Sequence, residues 1–234
     1  QAAENNFFGK PCGLLDQMTS SVGSFVEIDF AYPAKPVIEK LDFDFASCGY
    51  ALCIVDTGGS HSDLTDEYAA VRKEMESVAE YLGKSVLREV DEDEFMKNIA
   101  DIRSSCGDRA VLRAMHFYGD NARVEKQAAA LKAGDFETFK KYIIESGRSS
   151  YMYNQNVYSC KKVSEQPVSL ALSLSEKLLD GCGAWRVHGG GFAGTIQAFV
   201  PLNKLDEYKD LMEKVFGSGS CYILSVRPVG GVEL

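Results

Sequence analysis

The sequence predicts an α+β fold built on a mostly antiparallel sheet, and three observations lead there. A short apolar strand pattern at 50–56 is followed by a long run of helical periodicity, from 64 to 147. Strand patterns return only late, at 184–188, 194–200 and 221–227. A helix at about 204–216 separates the last two of these. Grouped strands and grouped helices, rather than strict alternation, point to a sheet with helices gathered on one face.

Taken in order, residues 1–8 read as helix until Gly9-Lys10-Pro11 interrupts them, because proline lacks the amide donor and glycine is permissive. A second helical stretch covers 13–21, and residues 25–30 alternate in polarity as a strand does. The segment 32–47, with Pro33 and Pro36, is the best candidate for a boundary. Beyond the strand at 50–56, Leu64, Tyr68, Val71, Met75, Val78 and Leu82 recur at spacings of three and four, and Gly83 ends that helix. Ser62 or Asp63 is placed to cap its start. Further helices are expected at 92–101, 108–131 and 135–147. In the 204–216 helix the apolar stripe is Leu205, Tyr208, Leu211, Met212 and Val215. The chain opens at Gln1 in what reads as the inside of a helix, so it is expected to be part of something longer.

Bulk properties narrow the function. With 234 residues, 45% of them hydrophobic, the chain can bury a substantial core. Its net charge of −9 argues against a general nucleic-acid binder, which needs a basic surface to replace phosphate counterions. An anionic substrate such as a nucleotide would have to be held locally against that field. The seven cysteines are scattered with no C-x-x-C pair, so they read as reduced thiols of a cytoplasmic protein. No run approaches the roughly 18 apolar residues of a membrane span.

The richest segment is Glu4-Asn5-Asn6-Phe7-Phe8-Gly9-Lys10-Pro11-Cys12-Gly13-Leu14-Leu15-Asp16-Gln17. A Gly-Pro break sits between two carboxylates, Glu4 and Asp16. Brought together by the turn, they either share a divalent metal or divide the work between a metal and a hydroxyl; each is otherwise an ordinary solvated acid. In order and spacing this stretch resembles the galactokinase signature Ala-Glu-Asn-x-Phe-x-Gly-x-x-Cys-Gly-x-x-Asp-Gln. Galactokinases belong to the GHMP-kinase superfamily, with homoserine and mevalonate kinases.

The resemblance implies that Asp16 is the catalytic carboxylate at the anomeric hydroxyl of the sugar and that Glu4 helps hold Mg²⁺. It also implies that Gly13 admits the sugar to the backbone, because it has no Cβ. The stretch Glu67-Tyr68-Ala69-Ala70-Val71-Arg72 resembles the helix whose tyrosine binds galactose, which makes Tyr68 a substrate-binding residue. On its apolar stripe Tyr68 reads equally as core. Family members often carry two or three arginines here, whereas this chain has the single Arg72. Arg186-Val187-His188-Gly189-Gly190-Gly191-Phe192-Ala193-Gly194 resembles the third superfamily motif, with the turn at Gly189, Gly190 and Gly191. Two departures occur: Val187-His188 stand where Met-Thr is common, and Ala193 where Gly is common. The closing Arg227-Pro228-Val229-Gly230-Gly231-Val232 is similar to the end of bacterial galactokinases.

Two family motifs do not occur: Gly-Glu-His-x-Asp-Tyr, which supplies most sugar contacts, and Pro-x-Gly-x-Gly-Leu-Ser-Ser-Ser, which cradles the ATP phosphates. The resemblance therefore implies the C-terminal half of a galactokinase. It implies a ferredoxin-like GHMP-kinase C-terminal domain at 46–234, preceded at 1–45 by a remnant of the N-terminal domain. The parent would transfer a phosphoryl group from MgATP to the 1-hydroxyl of α-D-galactose, and this chain alone would be inactive. The alternatives are a non-catalytic galactokinase-like regulator that binds sugar and nucleotide, or a kinase for a related hexose. Self-association through the face left by the absent half is expected; nucleic acid and membrane are not expected partners.

Overall fold

A computed structural model describes residues 1–7, 13–32, 34–59 and 64–231. The Gly9-Lys10-Pro11 break, Cys12, the capping pair Ser62 and Asp63, and Val232 lie outside these residues. After a π turn at Ala3–Phe7 come helix α1, Leu15–Val22, and a hairpin of β1, Phe25–Asp29, and β2, Val37–Leu41. Strand β2 lies inside the segment expected to be a boundary loop. It pairs antiparallel with β1, Phe25 opposite Leu41, and Leu41 is its buried residue.

Strand β3, Tyr50–Asp56, is central. Five helices follow: α2 at Thr65–Tyr81, α3 at Glu92–Lys97, α4 at Ile99–Cys106, α5 at Asp108–Lys132 and α6 at Phe136–Ser149. Gly83 stops α2 at a left-handed φ of 73°, and Asp135 caps α6 by accepting from the Thr138 amide at 3.0 Å. Helix α7, Pro167–Leu179, was not anticipated. Its signal was present in Pro167, whose missing N–H costs nothing at the first helical position. The chain ends with β4, Ala184–Val187, β5, Thr195–Pro201, α8, Leu205–Phe216, and β6, Cys221–Leu224.

The four strands form one antiparallel sheet in the order β4-β5-β3-β6. With helices between β3 and β4 and between β5 and β6, this is the split βαβ arrangement of ferredoxin-like domains. Helices cover both faces of the sheet, not one. Ala51, Cys53 and Val55 of β3 pack with Ile196, Ala198 and Val200 of β5 against α7 and α8, where Tyr208 and Met212 are fully buried. The opposite face is aromatic: Phe199 meets Phe136 and Phe139 of α6, and Phe25, Phe43 and Phe45 extend that cluster to the hairpin. Edge-to-face ring pairs of this kind add to plain apolar burial, and they fix the hairpin to the domain.

Candidate functional site

The triple-glycine turn between β4 and β5 is braced from two sides by side chains. Gly189 and Gly191 take φ of 69° and 82°, a region in which a side chain is strained. On one side, the Tyr68 hydroxyl donates to the Gly191 carbonyl at 2.9 Å, and the ring lies where a Cβ on Gly190 would come 2.7 Å from Cε1. On the other, the Asn156 Nδ2 donates to the Gly190 carbonyl at 3.1 Å, and a Cβ on Gly191 would fall 1.9 Å from the Asn156 main-chain oxygen. That oxygen also accepts from the Phe192 amide. Gly190 and Gly191 thus each pack against one brace and bond to the other.

The surroundings hold both braces. Phe192, itself at a left-handed φ of 59°, sets its ring edge-on to Tyr68 at 5.4 Å and joins Leu64 and Ala193 in a small apolar cluster. Burial raises the Tyr68 pKa above the usual phenol value, keeping the hydroxyl protonated and able to donate. The Thr57 hydroxyl and amide, at the exit of β3, both donate to the Gly194 carbonyl, at 2.7 and 2.8 Å.

Behind Asn156 lies a buried charged layer. Arg113 has no exposed surface; its Nε donates to the Asn154 carbonyl at 3.0 Å and its Nη1 to Glu74 at 2.8 Å. Arg109 grips the same carboxylate through Nε and Nη2. Glu67 is also buried and accepts from the Ser159 hydroxyl at 2.8 Å. Replacing Arg113 by alanine strands the Asn154 carbonyl and leaves Glu74 to Arg109 alone. Urea unfolding of the chain is expected to show a loss of about 3 kcal/mol, with an unchanged dependence on urea.

Two hollows flank the turn. One of about 610 Å³ runs between Gly58, Gly59, Phe192, Ala193, Lys161 and Lys162. The other, about 360 Å³, lies beside Tyr68 and is lined by Val71, Met75 and Phe117, with Arg72 and Arg88 at its rim. Arg72 pairs with Glu76 on the surface and Arg88 with Asp29. His188 is exposed and shares a hydrogen bond of 3.1 Å with Gln197.

The expected site residues divide into two groups. Tyr68 meets the 189–191 turn directly. Asp16 stands exposed on the first turn of α1, Gly13 is exposed with open space where a Cβ would project, and Glu4 is half-buried in the first π turn. Among the described residues Asp16 forms no hydrogen bond or ion pair, so neither kind of bond joins it to Glu4 or to the glycine turn. Nor do any three His, Cys, Asp or Glu side chains there converge to hold a metal. Among the described residues the donor set for Mg²⁺ is thus incomplete.

What does hold α1 is the closing motif. Ser24 donates its amide to the Arg227 carbonyl at 2.7 Å, and Gly231 donates to the Ser21 carbonyl at 3.3 Å. A Cβ on Gly230 would fall 1.8 Å from the Ser21 oxygen, and one on Gly23 2.3 Å from the Val229 carbonyl carbon. The two glycines let the segments touch backbone to backbone.

No family model matches the chain. Known proteins do. Human galactokinase is 30% identical over 237 residues, covering 100% of this chain and 56% of that protein. The galactokinase of Glaesserella parasuis is 29% identical over 217 residues, 91% of this chain and 52% of the relative. The crystal structure of Lactococcus lactis galactokinase complexed with galactose superposes over 100% of the chain and 59% of its own, at a TM-score of 0.73 and 22% identity. The chain is a galactokinase-like C-terminal region.

This galactokinase-like chain spans about half the length of the curated relatives it matches. Its fold is also that of GHMP kinases outside the galactokinase branch: Leishmania major mevalonate kinase, in complex with R-mevalonate, matches at a TM-score of 0.58 and 12% identity. Of the expected site residues, Tyr68 and the glycine turn are the ones joined by a hydrogen bond among the described residues. Asn156, the turn's second brace, carries no recognisable motif in the sequence; the only hint was its place shortly after a long helical run.

Proposed function

We propose that the full-length protein containing this chain is an ATP-dependent sugar kinase acting on the 1-hydroxyl of α-D-galactose. The observation that carries the proposal is relatedness to galactokinases over 91–100% of the chain, in a fold that seats Tyr68 on the triple-glycine turn. In this reading Asp16 orients or deprotonates the anomeric hydroxyl, and Gly13 and Tyr68 border the sugar. The tyrosine's hydrogen is given to the loop, so a sugar hydroxyl would meet it as a donor. Glu4 would be one of the carboxylates holding Mg²⁺, which when bound would neutralise charge on the transferring phosphate.

The chain is proposed to divide near residue 45, with 1–45 belonging to a domain completed elsewhere and 46–234 forming the ferredoxin-like partner. No helix among the described residues is long and apolar enough to cross a membrane, and a cytoplasmic location is proposed with the kinase reading. Self-association through the face left by the absent half is part of the same proposal.

Phosphoryl transfer by positioning needs every wall of its cleft. The isolated 234-residue chain is therefore expected to show no galactose-dependent ADP release with MgATP. Full-length protein should turn over galactose faster than N-acetylgalactosamine or glucose. Equal turnover of all three hexoses would remove the galactose assignment, and normal turnover by the isolated chain would remove the divided cleft.

A further inference from the structure

We propose that Asn156 is a positioning residue for the sugar-kinase reaction: its side-chain amide sets the Gly190–Gly191 peptide plane and aims the Gly191 N–H at the Tyr68 side of the loop. The proposal rests on the kinase reading above. The described peptide bonds are all trans, so within each plane the carbonyl and the N–H point in opposite directions. In the Gly191–Phe192 plane the carbonyl accepts from Tyr68 and the N–H donates to the Asn156 oxygen. Tyr68 and Asn156 therefore lie on opposite sides of the turn. In the preceding plane the Gly190 carbonyl is drawn to the Asn156 Nδ2. The Gly191 N–H must then point the other way, toward the side on which Tyr68 and the substrate lie.

Two further facts make Asn156 suited to this. It is only 5% exposed, and its Oδ1 is buried without a hydrogen-bond partner among the described residues. The amide is thus oriented by its donor end alone, since only that end can bond a carbonyl. The chain leading into it is also fixed. Arg113 holds the Asn154 carbonyl, and Gln155 takes a left-handed φ of 55°, a conformation uncommon for a residue with a side chain. A buried guanidinium thereby sets where the Asn156 side chain emerges, and that side chain sets the plane of a loop peptide.

The test has two readouts. Amide-proton exchange by NMR on the wild-type chain reports the clamp without any substitution: one Asn156 side-chain N–H proton is expected to exchange far more slowly than those of exposed asparagines. Steady-state kinetics on the full-length protein reports the role. Asn156→Ala keeps the main-chain bond to Phe192 and removes only the side-chain donor. It is expected to lower kcat roughly 10- to 100-fold, the scale of a small misplacement in a site that works by positioning, with the sugar KM changed less than about threefold. Asn156→Asp, equal in shape but without a donor when ionised, should lose as much. Rapid exchange of both side-chain protons overturns the clamp, whatever the enzyme does. An active wild type with unimpaired Asn156→Ala and Asn156→Asp variants overturns the positioning role. A full-length protein that phosphorylates no hexose overturns the kinase reading and with it the reaction assigned to Asn156, while the exchange result still states whether the clamp exists.

Discussion

Replacing Gly191 by alanine is expected to destabilise the chain by about 4 kcal/mol and to abolish the proposed activity of the full-length protein. Two costs add. At φ 82° an alanine pays roughly 1–2 kcal/mol for the left-handed backbone. Its Cβ would also sit 1.9 Å from the Asn156 main-chain oxygen, a backbone atom with no rotamer to escape into. The loop must move, and the bonds from Tyr68, from Asn156 and to Phe192 move with it. Gly189→Ala is the matched control, because its φ of 69° carries the same backbone cost while nothing lies within 4 Å of the new methyl. Urea unfolding of both variants should give about 1–2 kcal/mol for Gly189→Ala and more than twice that for Gly191→Ala. Equal losses would mean that the two-sided brace is not what holds the turn.

The second large effect separates chemistry from stability. Asp16→Asn in the full-length protein is expected to lower kcat about 10³-fold, in the range of a lost acid–base or orienting group. It should leave the unfolding free energy within about 0.5 kcal/mol, since Asp16 is exposed and makes no hydrogen bond or ion pair among the described residues. A residue held for structure would show the reverse pattern. Retention of more than a tenth of the wild-type kcat would take Asp16 out of the proposed mechanism.

These two residues also show what the sequence makes legible. Where periodicity is strong, as in β3 or in the Leu64-to-Leu82 stripe of α2, the elements fall where the pattern puts them. Strand β2 was hidden because its neighbours Pro33 and Pro36 read as a linker, while its stability comes from pairing with β1 and from the rings that tie the hairpin to α6. Helix α7 was hidden because its run of serine and leucine is amphipathic only in relation to a sheet that no local window contains. Tyr68 and the glycines are singled out because their segments resemble family motifs. Asn156 and Arg113 are not, because their roles are set by contacts to residues 34 and 41 positions away. Gly23 and Gly230 are of the same kind: each is needed only where the other's segment passes.

The central claim is that this chain completes a sugar kinase, and the fate of galactose tests it most directly. Full-length protein incubated with MgATP and galactose labelled at C1 should yield, by NMR, a product phosphorylated at C1 and one ADP for each sugar consumed. Absence of galactose-dependent ADP release, or a phosphate appearing at any other carbon, would contradict it.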